Sequence, residues 1–350
     1  MPRNSGLAAT HFREAAILAQ SPLLSQQIKR KRFAQIFGNF RFVAGGKFDV
    51  ENQGFTCRKE RILIARQMEV QLIQSRQNQR VVRLEELRKD RRARDEAKLF
   101  VIEGIRELER AADSGVALRE LYFTRSFMRS VAAERVLAKI SALPGIEIFE
   151  LSEDAMTRAS YREYPEGLIA IAAIQSHNLA DLSATLAATK RTGGNKPALF
   201  LVAESVEKPG NLGALLRTAD SAGCDALICC DAVCEPYNPN AIRASQGALF
   251  SLPFAIAESG EAAAWLRGRG VKIFATTPAA DKICWDCDFR SDTAIVLGSE
   301  ATGLSPFWLG AEGAAEKIAI PQLGISDSLN VSIAAAICLF EVVRQRTKQA

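Results

Sequence analysis

Three polar clusters in the C-terminal half of the chain hold the side chains most suited to chemistry. The first, Asn211-Leu212-Gly213-Ala214-Leu215-Leu216-Arg217, follows the turn residues Pro209-Gly210 and reads as a helix start, with Asn211 as its cap. Arg217 lies two turns in, where a guanidinium facing a sheet edge can grip a phosphate through two parallel bonds. Asn211 and Arg217 sit about 120° apart around the helix, so they converge only if a substrate is brought between them. The second cluster, Leu297-Gly298-Ser299-Glu300-Ala301-Thr302-Gly303, directly follows an apolar strand. A carboxylate at a strand end is costly unless paired or solvated, and Gly298 and Gly303 let the backbone approach a ligand closely. The third is Ile320-Pro321-Gln322 and, a few residues on, Ser328-Leu329-Asn330-Val331-Ser332, just before a long apolar helix. One short polar residue suffices to cap a helix. Ser328, Asn330 and Ser332 are a surplus, and a surplus suggests a site.

Other chemistries have weaker support. The only histidines are His11 and His177, and His177 lies in a polar, linker-like stretch, which argues against a histidine-based triad. Eight cysteines are too dilute and uneven for a disulfide framework and fit a reduced, intracellular setting. Cys284-Trp285-Asp286-Cys287, with Cys229, Cys230 and Cys234, makes a structural zinc conceivable, but Cys229 and Cys230 already belong to an apolar strand pattern, so buried thiols and no metal are expected.

The elements that position these clusters form two α/β modules. In the first, Arg80 to Arg94 reads as a basic helix with Val81, Leu84, Leu87 and Arg88 near one face. Strands are expected over Leu99 to Ile102, Leu121 to Thr124, Ile146 to Leu151 and Leu168 to Ile174, with a helix from Ser130 to Leu143. Strands and helices alternate again after Pro197, which predicts a parallel sheet covered on both faces. The last helix is expected over Ser328 to Arg346, capped by Asp327 or Ser326 and packing through Ile333, Ile337, Phe340 and Val343. The domains are therefore 1–67, an arm or upstream extension; 68–176, a smaller α/β module; 177–197, a linker; and 198–350, the larger module. Met68 stands just before the first patterned segment and is an alternative start. The Arg-containing, acid-poor first 50 residues are compatible with an organellar transit segment.

The net charge of +5 conceals an asymmetry. Residues 1–100 hold 21 Lys/Arg against 10 Asp/Glu, a net +11, and the remaining 250 hold 24 against 30, a net −6. A polyanion is expected to dock on the N-terminal part. No apolar run is long enough to span a bilayer, since the longest candidate, Val331 to Val343, carries Ser332 and Glu341.

In this order and position the three clusters resemble the motifs of the SpoU/TrmH family of RNA ribose methyltransferases, in the SPOUT superfamily. The segment from Ser75-Arg76-Gln77-Asn78 through Phe100 to Leu108 is similar to that family's ribosomal-protein-like substrate-binding domain. The resemblance implies an α/β fold whose C-terminal parallel sheet is threaded into a deep trefoil knot, an exception to the rule that chains avoid knots. It implies S-adenosylmethionine bound around Leu297, Gly298, Gly303, Ile320 and Leu329, and Asn211, Arg217, Glu300, Ser328 and Asn330 around a ribose. Gln322 stands where members usually have Met. With the charge asymmetry, it places RNA on Arg76, Asn78, Arg80, Arg91, Arg92 and Arg94. The implied function is 2′-O-ribose methylation by a cytoplasmic homodimer, on ribosomal RNA or, alternatively, transfer RNA. A catalytically silent RNA-binding or ribosome-assembly factor of the same fold, and a base methyltransferase, are the competing readings.

Overall fold

The computed structural model describes residues 70–189, 196–325 and 328–347. The expected arm over 1–67, the Met68 start and capping by Ser326 or Asp327 lie outside the described residues. The first module runs β1 (Gln71–Ile73), α1 (Gln79–Lys89), α2 (Arg91–Ala97), β2 (Leu99–Glu103), α3 (Ile105–Asp113), β3 (Leu118–Phe123), α4 (Val131–Ser141), β4 (Glu147–Leu151), α5 (Glu153–Ala159) and β5 (Leu168–Ala173). Its mixed sheet has the order β1-β4-β3-β5-β2, with β5 antiparallel to both neighbours.

Val81, Leu84 and Leu87 are buried as their spacing predicts. The expected single helix over Arg80 to Arg94 is nevertheless two. Asp90 adopts an extended conformation, ends α1 and accepts the Arg92 N–H through its carboxylate, so one residue stops one helix and caps the next. Helices α3 and α5 are not among the elements that periodicity predicts. The buried face of α3 contains Glu107 beside Leu108 and Ala111, and that carboxylate interrupts the apolar period.

The second module begins inside the stretch expected to be linker. Helix α6 (Leu179–Thr189) buries Leu182 and Leu186 against the larger sheet, and Asn178 accepts the Asp181 N–H. Next come β6 (Leu199–Glu204), α7 (Pro209–Ser221), β7 (Ala226–Cys230), α8 (Pro239–Ser245), α9 (Ala248–Ser251), β8 (Phe254–Ala257), α10 (Ser259–Arg267), β9 (Lys272–Thr276), β10 (Thr293–Leu297), α11 (Pro306–Leu309), β11 (Glu316–Ile318) and α12 (Val331–Thr347). All six strands are parallel, in the order β11-β9-β10-β6-β7-β8. Branched residues such as Leu201, Val202, Ile228, Ile295 and Val296 are fully buried because helices cover both faces. Among the described residues no helix is long and apolar enough to cross a membrane.

Helix α12 packs through a stripe that only partly overlaps the expected one, Ile337 and Val343 being half-buried against the core as expected. Its buried positions are Val331, Ala334, Ala335, Cys338, Leu339 and Val342, while Ile333 and Phe340 are 52% and 48% exposed. The small residues Ala334, Ala335 and Cys338 let α12 lie close to α7 and β10, whereas the reading gave precedence to the bulkier side chains. The helix also starts later than expected, at Val331. Asn330 caps it, its side chain accepting the Ser332 N–H at 3.0 Å.

The two modules meet along α2, β2 and α8. Phe100 lies 4.1 Å from Tyr237 between ring centroids, and Arg94, buried to 2% exposure, pairs with Glu235. His177, at the edge of this junction, stacks on Phe254 at 3.8 Å and shares a hydrogen bond with Tyr237 Oη at 2.5 Å. Burial holds its imidazole neutral by lowering its pKa from 6.5 to about 4. The unfolded chain binds a proton on this group in the window between those values and the folded chain does not. The thermal midpoint should therefore fall as pH drops from 6.5 to 4, and His177→Phe, which keeps a ring on Phe254, should flatten that decline. An unchanged slope in thermal melts of the variant would contradict this account.

Candidate active site

Strands β6 and β10 are neighbours, so the segments leaving their C-terminal ends lie side by side. After β6, Lys208 takes the cap position of α7 and Pro209 its first helical position. Asn211 is consequently not the expected cap. It lies in the first turn, with its side chain directed to Glu300 from the loop after β10. Glu300 Oε1 accepts from the side-chain amides of Asn211 and Asn330, the latter at 2.9 Å, and Oε2 pairs with Lys208 Nζ at 2.8 Å. Asn330 Nδ2 also lies 3.2 Å from Asn211 Oδ1, and Asn330 Oδ1 accepts from Ser332 Oγ at 2.6 Å. Hydrogen bonding and charge from Glu300 raise the pKa of the Lys208 ammonium. The N-terminal ends of α7 and α12 both lie at this carboxylate, where their dipoles favour negative charge. Val206, Lys208, Asn211, Ser299, Glu300 and Val331 border a cavity of about 170 Å³ beside it.

The loop that carries Glu300 is fixed by its own backbone. Ser299 and Gly303 exchange main-chain bonds of 3.1 and 3.0 Å, and a Cβ on Gly298 would lie 2.2 Å from the Gly303 carbonyl carbon. Gly298 is thus required by the turn itself, while Gly303 supplies the positive φ of +70°. The buried carboxylate of Glu204, closing β6, accepts the Ser305 N–H at 2.8 Å and anchors the far end of the loop. Glu204 and Lys208 lie outside the three polar clusters that stand out in the sequence. A carboxylate ending an otherwise apolar strand was the available signal for the first.

Strands β10 and β11 flank β9, and their ends carry the residues expected around a cofactor. Leu297 and Ile320 are buried and Leu329 is partly buried, whereas Leu323 and Ile325 in the same segment as Ile320 stand fully exposed. Aliphatic walls with main-chain groups, and no carboxylate or thiol among the expected set, fit an adenosyl group held largely by the backbone. Ser328 is exposed and, among the described residues, makes no hydrogen bond to the Glu300 cluster.

Arg217 does not join that cluster either. It is exposed, makes no ion pair among the described residues and lines a groove with Arg106, Arg162 and Arg243.

The residues expected to bind RNA are largely committed within the fold. Arg94 is buried, donating to the carbonyls of Leu87 and Arg88 at 2.6 and 3.2 Å besides its pairing with Glu235. Arg80 pairs with Glu120 and Glu147, each at 3.0 Å, and lies over Phe149. Asn78 caps α1, and Arg91 lies 3.5 Å from both Asp95 and Glu235. Arg76 and Arg92 keep exposed side chains. The acidic partners come from distant segments, which a linear charge count cannot register.

The seven described cysteines are free and buried. Burial pushes the Cys229 thiol up to about 12, and a hydrogen bond between Cys284 and Cys338 lowers the pKa of the first while raising that of the second. Among the described residues no three His, Cys, Asp or Glu side chains gather as a metal site.

An all-parallel sheet with a polar cluster at its strand ends, joined to a smaller mixed-sheet module, defines the class of two-module α/β enzymes. The profile of the SpoU rRNA Methylase family matches residues 198–340, and that of the MRM3-like substrate binding domain matches residues 78–170. The 23S rRNA (guanosine-2′-O-)-methyltransferase RlmB of Coxiella burnetii is 35% identical over 214 residues, 61% of this chain and 82% of that protein. A crystal structure of an RNA 2′-O ribose methyltransferase is 36% identical with a TM-score of 0.65, covering 79% of this chain and 99% of the other. An AdoMet-bound rRNA methyltransferase from Sinorhizobium meliloti is 29% identical with a TM-score of 0.66, covering 79% and 98%. The chain belongs to the SpoU rRNA methylase family.

Gly298→Ala tests the loop geometry. Forcing a methyl against the Gly303 carbonyl should cost about 1–3 kcal/mol, read from urea unfolding of the variant. Wild-type stability in that variant would show that the turn is not closed as described.

Proposed function

We propose that this protein transfers a methyl group from S-adenosylmethionine to a ribose 2′-hydroxyl of ribosomal RNA. One observation carries the reading: Asn211, Glu300 and Asn330, far apart in the chain, converge into one hydrogen-bonded cluster at the end of the parallel sheet. The names of the relatives support ribosomal over transfer RNA. The bound cofactor supplies a methyl on a sulfonium, already a good leaving group. Leu297, Gly298, Gly303, Ile320 and Leu329 hold it in the proposed arrangement, where the resemblance puts the knotted part of the sheet.

The protein's task is to align the hydroxyl and help remove its proton. Asn211, Glu300 and Asn330 present a pre-ordered polar rim, and Ser328 adds a hydroxyl from the segment leading into α12. Ordering these groups before substrate arrives spares their reorganisation during transfer. Arg217 acts by charge and position, since a guanidinium does not lose its proton in a protein. It grips a neighbouring phosphate and stabilises the developing alkoxide, while that phosphate or water accepts the proton.

The protein works as a homodimer in the cytoplasm. Ile333 and Phe340 stand on the outward side of α12, and Leu323 and Ile325 add exposed aliphatic surface, the kind of face that a second copy covers.

In a tritium-transfer assay from labelled cofactor to total RNA, Arg217→Ala should lose about 100-fold or more in rate, the scale of removing a transition-state charge partner. Its calorimetric affinity for the cofactor should stay within about two-fold, because uniform binding is untouched. Equal turnover would refute the role of Arg217, and absence of transfer by the wild type would refute the enzyme in favour of a silent RNA-binding factor. Phe340→Asp should shift sedimentation from dimer to monomer. A wild type that sediments as a monomer would refute the assembly.

A further inference from the structure

A groove between the two modules opens at Arg217. It has a volume of about 770 Å³ and is lined by Arg106 and Arg162 from the smaller module and by Arg217 and Arg243 from the larger. Its carboxylates are committed. Glu166 pairs with Arg162 and accepts the Ile105 N–H, Glu107 is buried with Arg162 at 3.7 Å, and Glu109 pairs with Arg135 at 2.8 Å. Arg106, Arg217 and Arg243 have no carboxylate partner among the described residues. Arg106 donates to Gln246 at 2.7 Å, and Arg243 lies over the Tyr161 ring at 5.6 Å. The groove therefore keeps an excess of positive charge, four arginines against three glutamates of which Glu109 is neutralised by Arg135 from outside the lining, with Arg106, Arg217 and Arg243 on exposed side chains.

A second cavity, about 390 Å³, shares Ile105 and Glu166 with the first and extends it outward. Phe127, Pro165 and Tyr164 give it apolar walls, and Arg129 stands exposed at its rim. Tyr164 is 82% exposed, more than any other Phe, Tyr or Trp ring among the described residues. Its loop is well anchored: Glu103 accepts from the Tyr161 N–H and Ser160 Oγ, Ser160 Oγ accepts the Arg162 N–H at 3.1 Å, and Tyr161 Oη donates to Asn240 at 2.6 Å across the module junction. A solvated ring on an anchored loop, next to a basic groove, is a platform with its ordering cost already met.

We infer that an unpaired RNA segment binds along this groove, one base stacking on Tyr164 beside Phe127 and its phosphates running past Arg106 and Arg243 to Arg217. The inference rests on the ribose-methylation reading and moves the RNA contacts away from the Arg76 to Arg94 stretch. Single strands are recognised by a basic track combined with aromatic faces, and a duplex offers no free base face for Tyr164.

The test is fluorescence anisotropy on the full chain with a labelled oligouridylate of about eight nucleotides, within the usual single-strand site size. Tyr164→Ala should weaken binding about ten-fold and Tyr164→Phe should restore it, since stacking needs only the ring. Arg106→Gln and Arg243→Gln should each lower the slope of log affinity against log salt by about 0.7. Arg76→Gln and Arg92→Gln should stay within about two-fold of wild type on this account, having no place in the track. All these side chains are exposed, so the variants should fold, with melting temperature as the check. Wild-type affinity in the Tyr164 and Arg243 variants, loss confined to Arg76 and Arg92, or no binding by wild type would each overturn the groove. If the wild type transfers no methyl group while oligouridylate binding still depends on Tyr164, the methylation reading falls and the groove stands.

Discussion

The site depends on the satisfaction of one carboxylate. Glu300 follows a fully buried strand but is itself solvent-accessible, so its partners fix where the carboxylate sits rather than rescue a buried charge. Lys208, Asn211 and Asn330 supply those partners from the segments that leave β6 and β11. Each donor brings its own constraint. Lys208 and Asn211 fix where α7 begins, Asn330 caps α12, and the Gly298–Gly303 turn sets how far Glu300 projects. The polar cluster is thus also the joint at which three segments of the larger module are held in register.

Charge is distributed by a similar economy. The excess of Lys and Arg near the N-terminus suggests a polyanion surface, yet much of it is spent inside the fold. Arg94 at the module junction and Arg80 against Glu120 and Glu147 are structural. Three of the arginines without an acidic partner among the described residues, Arg106, Arg217 and Arg243, are scattered through the sequence and meet only because the modules dock as they do. Linear charge density therefore does not show which arginines are free of acidic partners, since an ion pair depends on distance in space.

Much of the architecture was legible in the sequence. Alternating apolar strands and helices after Pro197 marked the parallel sheet, and Val81, Leu84 and Leu87 marked the buried face of α1, because burial acts on residues at regular spacing. The convergence of Asn211, Glu300 and Asn330 was also legible, through motif order. What escaped lies where one side chain serves two demands. Asp90 splits a helix that periodicity alone extends, and Glu107 hides α3 by occupying a core position as an acid. Asn211 has the residue type of a cap, but Pro209 opens the helix three residues earlier. On α12 the reading followed side-chain bulk, while close packing selected Ala334, Ala335 and Cys338 and left Ile333 and Phe340 outward.

The most direct test of the central claim is nucleoside mass spectrometry on ribosomal RNA treated with the purified protein and isotopically labelled S-adenosylmethionine. The account predicts label only in a 2′-O-methylated nucleoside, and its loss when Glu300 is replaced by Ala. Label on a base, or full ribose labelling by the Glu300→Ala protein, would contradict it.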